Sequence, residues 1–242
     1  MLLTLNLIKM NQILFFSFSF FFLFGQAVAQ KNIHAPWGQM LKAYVAPSGK
    51  VNYAEWKNES KKLGEYINTL AQMPPQKTWP KTQQLAYWIN AYNALTIQLI
   101  LKHYPLKSIK DLNKPWDKVV FESGGNTYSL NNIEHNVLRK MEEPRIHFAI
   151  NCASASCPKL QNKPFVGNQI YDQLEAATCA FLLDTTKNNF SASPPQVSRI
   201  FLWFGKDFGT RDARKLFFEK YLEKTLASSK LDYLDYDWRL NE

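Results

Sequence analysis

The residues most suited to chemistry lie close together in residues 146–160, which read IHFAINCASASCPKL and contain His147, Cys152 and Cys157. A short apolar run followed by small residues and Pro158 is typical of a buried strand that opens into a tight loop. Small side chains let backbone N–H groups approach a ligand closely, as oxyanion sites require. We therefore expect a functional site in this stretch.

A thiol nucleophile is the most specific hypothesis for this site. Cys152 would attack an acyl carbon, and an imidazole would remove its proton, because a free thiol with a pKa of about 8.5 is mostly protonated at neutral pH. The expected catalytic residues are Cys152 as nucleophile, His135 as base and Glu134 as the group that orients the imidazole. The expected activity is that of a cysteine-dependent acyl hydrolase or transferase acting on amides or esters.

His147 is placed among binding residues rather than catalytic ones. It precedes Cys152 by five residues, which is roughly 16 Å along an extended strand, so direct contact would require the chain to fold back. Asn90 and Asn93 lie three apart on a predicted helix and, if buried, need amide partners, either a neighbouring loop or a ligand. The expected binding residues are Asn90, Asn93, His147, Asn151, Ser154, Ser156 and Cys157.

A disulfide is the main alternative for the two close cysteines. In an oxidising compartment Cys152 and Cys157 could bond and brace the loop of a non-catalytic binding or interaction module for a small molecule or peptide. An exposed, strained bond of this kind could instead exchange with other thiols. The third cysteine, Cys179, falls among apolar residues of a predicted helix and reads as a small core residue.

Other site chemistries are weaker. His135, His147 and Cys152 are plausible metal-ligand types, but the sequence lacks a short ligand pair, so we expect no metal and no cofactor. The carboxylates Asp232, Asp235 and Asp237 lie on a predicted terminal strand and read as an exposed acidic edge rather than a glycosidase pair.

Residues 1–29 read as a signal peptide. Lys9 precedes an apolar run, and Ala27 and Ala29 form a small-x-small cleavage pattern before Gln30. The run is shorter than the roughly 20 residues that a membrane span needs. We expect export to the periplasm or the outside of the cell, with residues 30–242 forming one domain that does not span a membrane.

The net charge of +9 is spread along the chain. Local basic groups, such as those near Lys61 and Arg214, sit among acids on predicted helices and read as solvated faces. Nucleic-acid binding would need a clearer basic stripe, so it is not expected. The oligomeric state is left open.

Several elements must position the site. Helices are predicted at residues 37–45, 55–72, 82–103, 132–141, 169–184 and 212–227 from apolar spacing and flanking prolines. A hairpin is predicted around Gly124 and Gly125, and further strands at residues 197–204 and 231–238. The fold class is α+β, with a helix-rich N-terminal half packed on a small, mostly antiparallel sheet.

Four motifs, in order, resemble the family called domain of unknown function 547. They are residues 87–95 (YWINAYNAL), 130–135 (LNNIEH), 147–158 (HFAINCASASCP) and 236–241 (YDWRLN). The resemblance runs from about Val51 to the C-terminus and implies no settled activity. The resemblance to plant members of the family, which keep a residue like Cys152 and vary the one like Cys157, mildly favours Cys152 as the functional thiol. A distant, permuted likeness to papain-like and transglutaminase-like folds is also expected.

Overall fold

Four helices build the first half of the molecule. The computed structural model describes residues 33–242, and the expected signal peptide lies outside them. The helices are α1 (Ala35–Tyr44), α2 (Tyr53–Asn58), α3 (Ser60–Gln72) and α4 (Lys81–His103). All were predicted, except that the helix expected at residues 55–72 is divided in two at Glu59, whose backbone leaves helical geometry.

Helix α4 forms the centre of the fold. The sequence predicts one apolar face, but residues 85–97 are buried on every side. A helix surrounded in this way carries apolar residues around its whole circumference. Its two buried amides, Asn90 and Asn93, therefore have to bond within the protein.

The predicted hairpin is confirmed. After a 3₁₀ turn (Ile109–Asp111), β1 (Val119–Ser123) pairs antiparallel with β2 (Asn126–Ser129). The connecting Gly124 and Gly125 have φ of 58° and 76°, which glycine adopts without steric cost and which matches the twist of a tight hairpin.

The helix predicted at residues 132–141 begins slightly earlier and changes its winding. It starts as α5 (Leu130–Asn132), capped by the Ser129 side chain, and continues as a π-helical turn (Ile133–Leu138) and a 3₁₀ turn (Arg139–Met141). Wider π-helical turns occur often at functional sites. This one carries Glu134 and His135.

The prediction of a strand ahead of Cys152 is wrong. A 3₁₀ helix occupies this position (Pro144–Phe148), with Pro144 in its first turn and the Glu143 side chain accepting the backbone N–H of Arg145. Proline at a helix start is favourable because its missing N–H would be unpaired there anyway. Because Pro144 favours a helix start more strongly than the apolar run favours a strand, the chain folds back here instead of extending.

The second half also contains less sheet than predicted. After a 3₁₀ turn (Gly167–Gln169), the elements are α6 (Ile170–Leu182), β3 (Gln196–Val197), α7 (Ile200–Trp203), a 3₁₀ turn (Gly205–Phe208), α8 (Arg211–Leu222) and β4 (Asp232–Tyr233). The strand predicted at residues 197–204 therefore becomes mostly helix, and that at 231–238 keeps two residues. The pair β3–β4 is parallel, so only the hairpin fits the expected antiparallel sheet.

Two apolar clusters form the core of the described residues. One surrounds α4, and the other is rich in phenylalanine and joins α6, α7 and α8. The fold class α+β is confirmed. The expected likeness to papain-like or transglutaminase-like folds is not supported, since Cys152 follows a 3₁₀ turn instead of starting a long helix. Within residues 33–242 no helix is both long and apolar enough to cross a membrane.

Candidate functional site

A cleft of about 320 Å³ lies where α4, the π-helical turn, α7 and the C-terminal segment meet. Its polar lining consists of Asp117, Asn131, Glu134, His135, His147, Cys152 and Cys157. Its aromatic lining consists of Tyr92, Trp116, Trp203, Phe204, Tyr236 and Trp238. All three residues predicted as catalytic, Glu134, His135 and Cys152, therefore line one cleft.

The thiol loop, residues 151–158, brings its two cysteines together. All three cysteines of the chain are free thiols. The backbone N–H of Cys152 donates to Sγ of Cys157 at 3.0 Å, and the Tyr236 hydroxyl donates to the same sulfur at 3.3 Å. Sγ of Cys152 lies 3.3 Å from the Ser154 hydroxyl and 3.5 Å from that of Tyr236. Cys152 is half-buried and Cys157 is buried.

These contacts favour a thiolate on Cys157. Burial raises the pKa of the Cys157 thiol, but hydrogen bonds from Cys152, Ser154 and Tyr236 outweigh burial and lower it to about 6. The hydrogen bond to Cys157, followed by burial, raises the pKa of Cys152 well above its usual value. The pair therefore loses its first proton as a unit, with the charge on Cys157 and the remaining proton on Cys152.

The backbone donors predicted for an oxyanion site are mostly engaged elsewhere. The N–H of Ala153 donates to the Asn151 side chain, and those of Ala155 and Ser156 donate to the carbonyls of Arg239 and Asp237. The C-terminal segment thus fixes the loop along its length. The Tyr236 hydroxyl, 3.5 Å from Sγ of Cys152, is a side-chain donor close enough to serve an oxyanion there.

Glu134 provides a buried carboxyl group in the same cleft as the thiols. Its side chain accepts a hydrogen bond from the Tyr92 hydroxyl at 3.3 Å and lies 3.9 Å from Nδ1 of His147. Burial raises the pKa of Glu134 to about 7, and the bond from Tyr92 reduces the rise. A carboxyl group with this pKa can both donate and accept a proton near neutral pH.

His147 is held by a second carboxylate. Its Nε2 lies 2.7 Å from Oδ2 of Asp207, and the Arg139 guanidinium donates two hydrogen bonds of 2.6 Å to the same carboxylate. These bonds outweigh burial and hold the pKa of Asp207 well below its usual range. Burial lowers the pKa of His147 even though Asp207 opposes the shift.

Neither imidazole contacts a cysteine sulfur by hydrogen bond within residues 33–242. Nδ1 of His135 lies 2.7 Å from the Arg139 guanidinium, and burial followed by the Arg139 charge lowers the pKa of His135. His147 reaches the cleft because the 3₁₀ helix folds the chain back, which removes the 16 Å separation expected for a strand. The predicted contact of His135 with Cys152 is therefore replaced by a pair of thiols in contact with each other.

The three asparagines predicted to bind a ligand instead hold the loops around the site by hydrogen bonds. Asn90 bonds both backbone groups of Phe165, and Asn93 joins the carbonyl of Ala149 to the N–H of Asn151. The Asn151 amide donates to the Pro158 carbonyl across the thiol loop. All three are buried and lie outside the cleft lining. They tie loops to α4, the alternative role that the sequence left open.

The two predicted serines also have structural contacts. Ser154 donates to the Tyr236 hydroxyl at 3.1 Å, and the Ser156 hydroxyl accepts the N–H of Asp237 at 2.9 Å. Ser154 contacts the thiol pair directly, at Sγ of Cys152, and also through Tyr236, whereas Ser156 anchors the C-terminal segment. Neither lines the cleft, so of the predicted binding residues His147 and Cys157 face it.

The carboxylates of the C-terminal segment do not form a site. Asp232 and Asp235 are exposed, and Asp237 pairs with Arg239. Within residues 33–242, no group of three histidine, cysteine, aspartate or glutamate side chains is arranged to hold a metal ion.

Several functional candidates were missed from the sequence. Asp207 follows α7 in a turn that gives no sequence signal, and Arg139 has no signal beyond its place on a predicted helix. Tyr92, Tyr236 and Trp238 stand inside the motifs that carry the family resemblance, which was the available signal for them.

Comparison with known proteins identifies a family but no activity. Residues 76–182 match the sequence model of a family described as "Protein of unknown function, DUF547". The matched segment includes α4, the π-helical turn and the thiol loop, and the match supports the family assignment that the motifs predict. No curated protein and no solved structure matches the chain.

Proposed function

We propose that the protein is a cysteine-dependent acyl hydrolase or transferase that acts on amide or ester bonds after export, in the periplasm or outside the cell. The observation that supports this proposal is the thiol pair, with one sulfur stabilised as a thiolate, in the same cleft as a buried carboxyl group of pKa about 7. Nucleophile activation and proton transfer near neutral pH both depend on such shifts.

Cys152 is the nucleophile in this proposal because it is the more exposed sulfur of the pair. As its sulfur bonds to the acyl carbon, its proton passes to the thiolate of Cys157. The Tyr236 hydroxyl lies 3.5 Å from Sγ of Cys152 and donates to Cys157 in the resting state. Once Cys157 is protonated, this hydroxyl turns to the oxygen that becomes negatively charged and donates to it instead. A donor placed where charge develops contributes strongly to catalysis.

Glu134 completes the proton transfers. In its acid form it protonates the leaving amine or alcohol as the bond to the acyl carbon breaks. As a carboxylate it then takes a proton from water or an acceptor alcohol, whose oxygen attacks the thioester. Collapse releases the acyl product, and the thiolate formed on Cys152 recovers its proton from Cys157, which restores the starting state.

His147 and Tyr92 act as positioning residues. Tyr92 donates to one oxygen of Glu134, and His147 stands beside the other, held in turn by Asp207. Fixing the carboxyl group reduces the reorganisation required during proton transfer.

The test is to trap the acyl-enzyme. The reduced protein is mixed with p-nitrophenyl acetate at pH 7, and mass spectrometry of the intact chain and of its peptides locates the acetyl group. We expect a single acetyl group on Cys152, none in Cys152→Ala, and at least 10-fold slower formation in Cys157→Ser. Cys179→Ala is the matched control and should behave as the unchanged protein.

An adduct on Cys179, or equal rates for all variants, would contradict the proposal. The thiol loop would then read as the rigid element of a non-catalytic binding module. This second candidate is favoured by one observation, the fixation of the loop by the C-terminal segment through backbone bonds. A binding module of this kind should still bind its ligand when Cys152 and Cys157 are joined by a disulfide.

A further inference from the structure

Four aromatic side chains of the cleft have no part in the proposed acyl transfer beyond the Tyr236 hydroxyl. This aromatic wall comprises Trp116, Trp203, Tyr236 and Trp238. Its rings form one cluster around Trp238, whose ring centroid lies 5.8 Å from Trp116, 4.6 Å from Tyr236 and 5.7 Å from Trp203. The rings of Tyr236 and Trp203 are 4.8 Å apart. Trp203 is 44% exposed although it lines the cleft.

The side chains that line the cleft differ in charge from the chain as a whole. The chain carries a net charge of +9, yet among the described residues that line the cleft none is a lysine or an arginine. Asp117 lies exposed at the cleft, and Glu134 and the thiol pair supply further negative charge as they ionise. Burial lowers the pKa of both lining histidines, so neither ring offsets this charge at neutral pH.

We propose that the cleft binds an alkylammonium group, a cation carried by the substrate and held against Trp203 and Tyr236 with the carboxylate of Asp117 nearby. Aromatic faces attract cations through the ring quadrupole, and clusters of such rings recognise quaternary ammonium groups. A neutral apolar group would gain contact with the rings but nothing from the carboxylate, and an anion would be repelled. As a statement about the substrate, this inference rests on the acyl-transfer function proposed above.

Lys110 locates the cation more closely. Its Nζ lies 5.0 Å from the ring centroid of Trp238, so a cation of the protein already occupies one face of that indole. Like charges repel, and a ligand cation is therefore placed away from Lys110, at the exposed ring of Trp203 and the neighbouring Tyr236.

Binding is tested with a matched pair of probes. Choline and its uncharged isostere 3,3-dimethyl-1-butanol are titrated into the reduced full chain, with tryptophan fluorescence and calorimetry as readouts. We expect choline to bind about 10-fold more tightly than the isostere. Trp203→Leu should remove most of this preference, and Asp117→Asn should reduce it. Leu202→Ala is the control, because Leu202 is the exposed neighbour in α7 and does not line the cleft.

Equal affinity for the two probes, no binding of choline, or an unchanged preference in Trp203→Leu would overturn the inference. A second arm compares the hydrolysis of acetylcholine with that of 3,3-dimethylbutyl acetate. Hydrolysis of both at equal kcat/KM would reject the cation site while leaving acyl transfer intact. Hydrolysis of neither, with choline still bound through Trp203, would reject acyl transfer and retain the cation site.

Discussion

Glu134 shows how one buried side chain can limit stability in order to provide a reactive group. It is 8% exposed and its pKa is raised to about 7 from an ordinary value of 4.5. A carboxyl group with a raised pKa stabilises the folded state at low pH, and that contribution is lost as the pH rises from 4.5 through 7. Above pH 7 the folded chain carries the cost of a buried charge, on the order of 3 kcal/mol.

Glu134→Gln should remove this pH dependence. Its free energy of unfolding, measured with urea, is expected to match that of the unchanged protein near pH 4.5 and to exceed it by about 3 kcal/mol at pH 8. The exposed Glu122→Gln is the control and should show no such difference. If Glu134→Gln is less stable at pH 8, the carboxylate is stabilised in place and its pKa is not raised.

In the thiol pair, hydrogen bonds favour the charged form of a buried side chain, whereas burial disfavours the charged form of Glu134. Burial alone would keep both sulfurs protonated, but three donors converge on Cys157 and favour its thiolate. No feature of the sequence shows which sulfur receives those donors, because Tyr236 is 79 residues away in the chain. Family resemblance favoured Cys152 as the functional thiol. The structure adds Cys157 as the site of the charge.

At the scale of elements, α4 and its two asparagines determine where the thiol loop lies. Asn93 pairs with the carbonyl of Ala149 and the N–H of Asn151, both buried beside Cys152. Asn93→Ala should lower the free energy of unfolding by about 2 to 4 kcal/mol, because two buried backbone groups lose their partner. Urea unfolding measures the loss. Gln98→Ala, on the same helix and half-buried, should change it by less than about 1 kcal/mol.

The long helices and the hairpin were predictable because their signals are local. Helix α4 shows regular apolar spacing between Pro80 and Pro105, and the two glycines of the hairpin require positive φ. The short elements were not predictable in the same way. The aromatic run at residues 200–204 fits a strand or a buried helical turn equally well, and packing of Phe201 against four other phenylalanines decides for the turn.

The site was predictable in composition but not in contacts. Glu134, His135, His147, Cys152 and Cys157 all line the cleft, which follows from their motifs. Their bonding depends on Pro144, which turns the chain before His147, and on Asp207, which engages that imidazole from a distant turn. Long-range contacts of this kind have no counterpart in the spacing of the sequence.

At the scale of the molecule, the cleft lies at the seam between the two apolar clusters. Phe201 is fully buried in the phenylalanine-rich cluster, with ring centroids 4.7 Å from Phe218 and 5.2 Å from Phe208. Phe201→Ala should destabilise the protein by about 3 to 5 kcal/mol through the cavity it leaves. Thermal unfolding followed by circular dichroism gives the value. Leu202→Ala, at the exposed neighbouring position, should change stability by less than about 1 kcal/mol.

Export is a separate prediction for the whole chain. If residues 1–29 are a signal peptide, protein recovered from the periplasm or the medium of an expressing cell should begin at Gln30. N-terminal mass spectrometry identifies the first residue. Ala29→Arg should block cleavage by placing a large charged residue at the cleavage site. If the unchanged protein keeps residues 1–29, the prediction of export by a cleaved signal peptide is contradicted.

The pH dependence of alkylation tests the shared proton of Cys152 and Cys157 most directly. The reduced protein is treated briefly with iodoacetamide between pH 4.5 and pH 9, and peptide mass spectrometry follows each cysteine, with Cys179 as the internal reference outside the cleft. We expect the pair to react with a half-maximal rate near pH 6, because hydrogen bonds lower the pKa of Cys157 to about 6, and Tyr236→Phe to move this midpoint upward by removing a donor. A midpoint above pH 8, or an unchanged midpoint in Tyr236→Phe, would show that the cleft does not hold a stabilised thiolate.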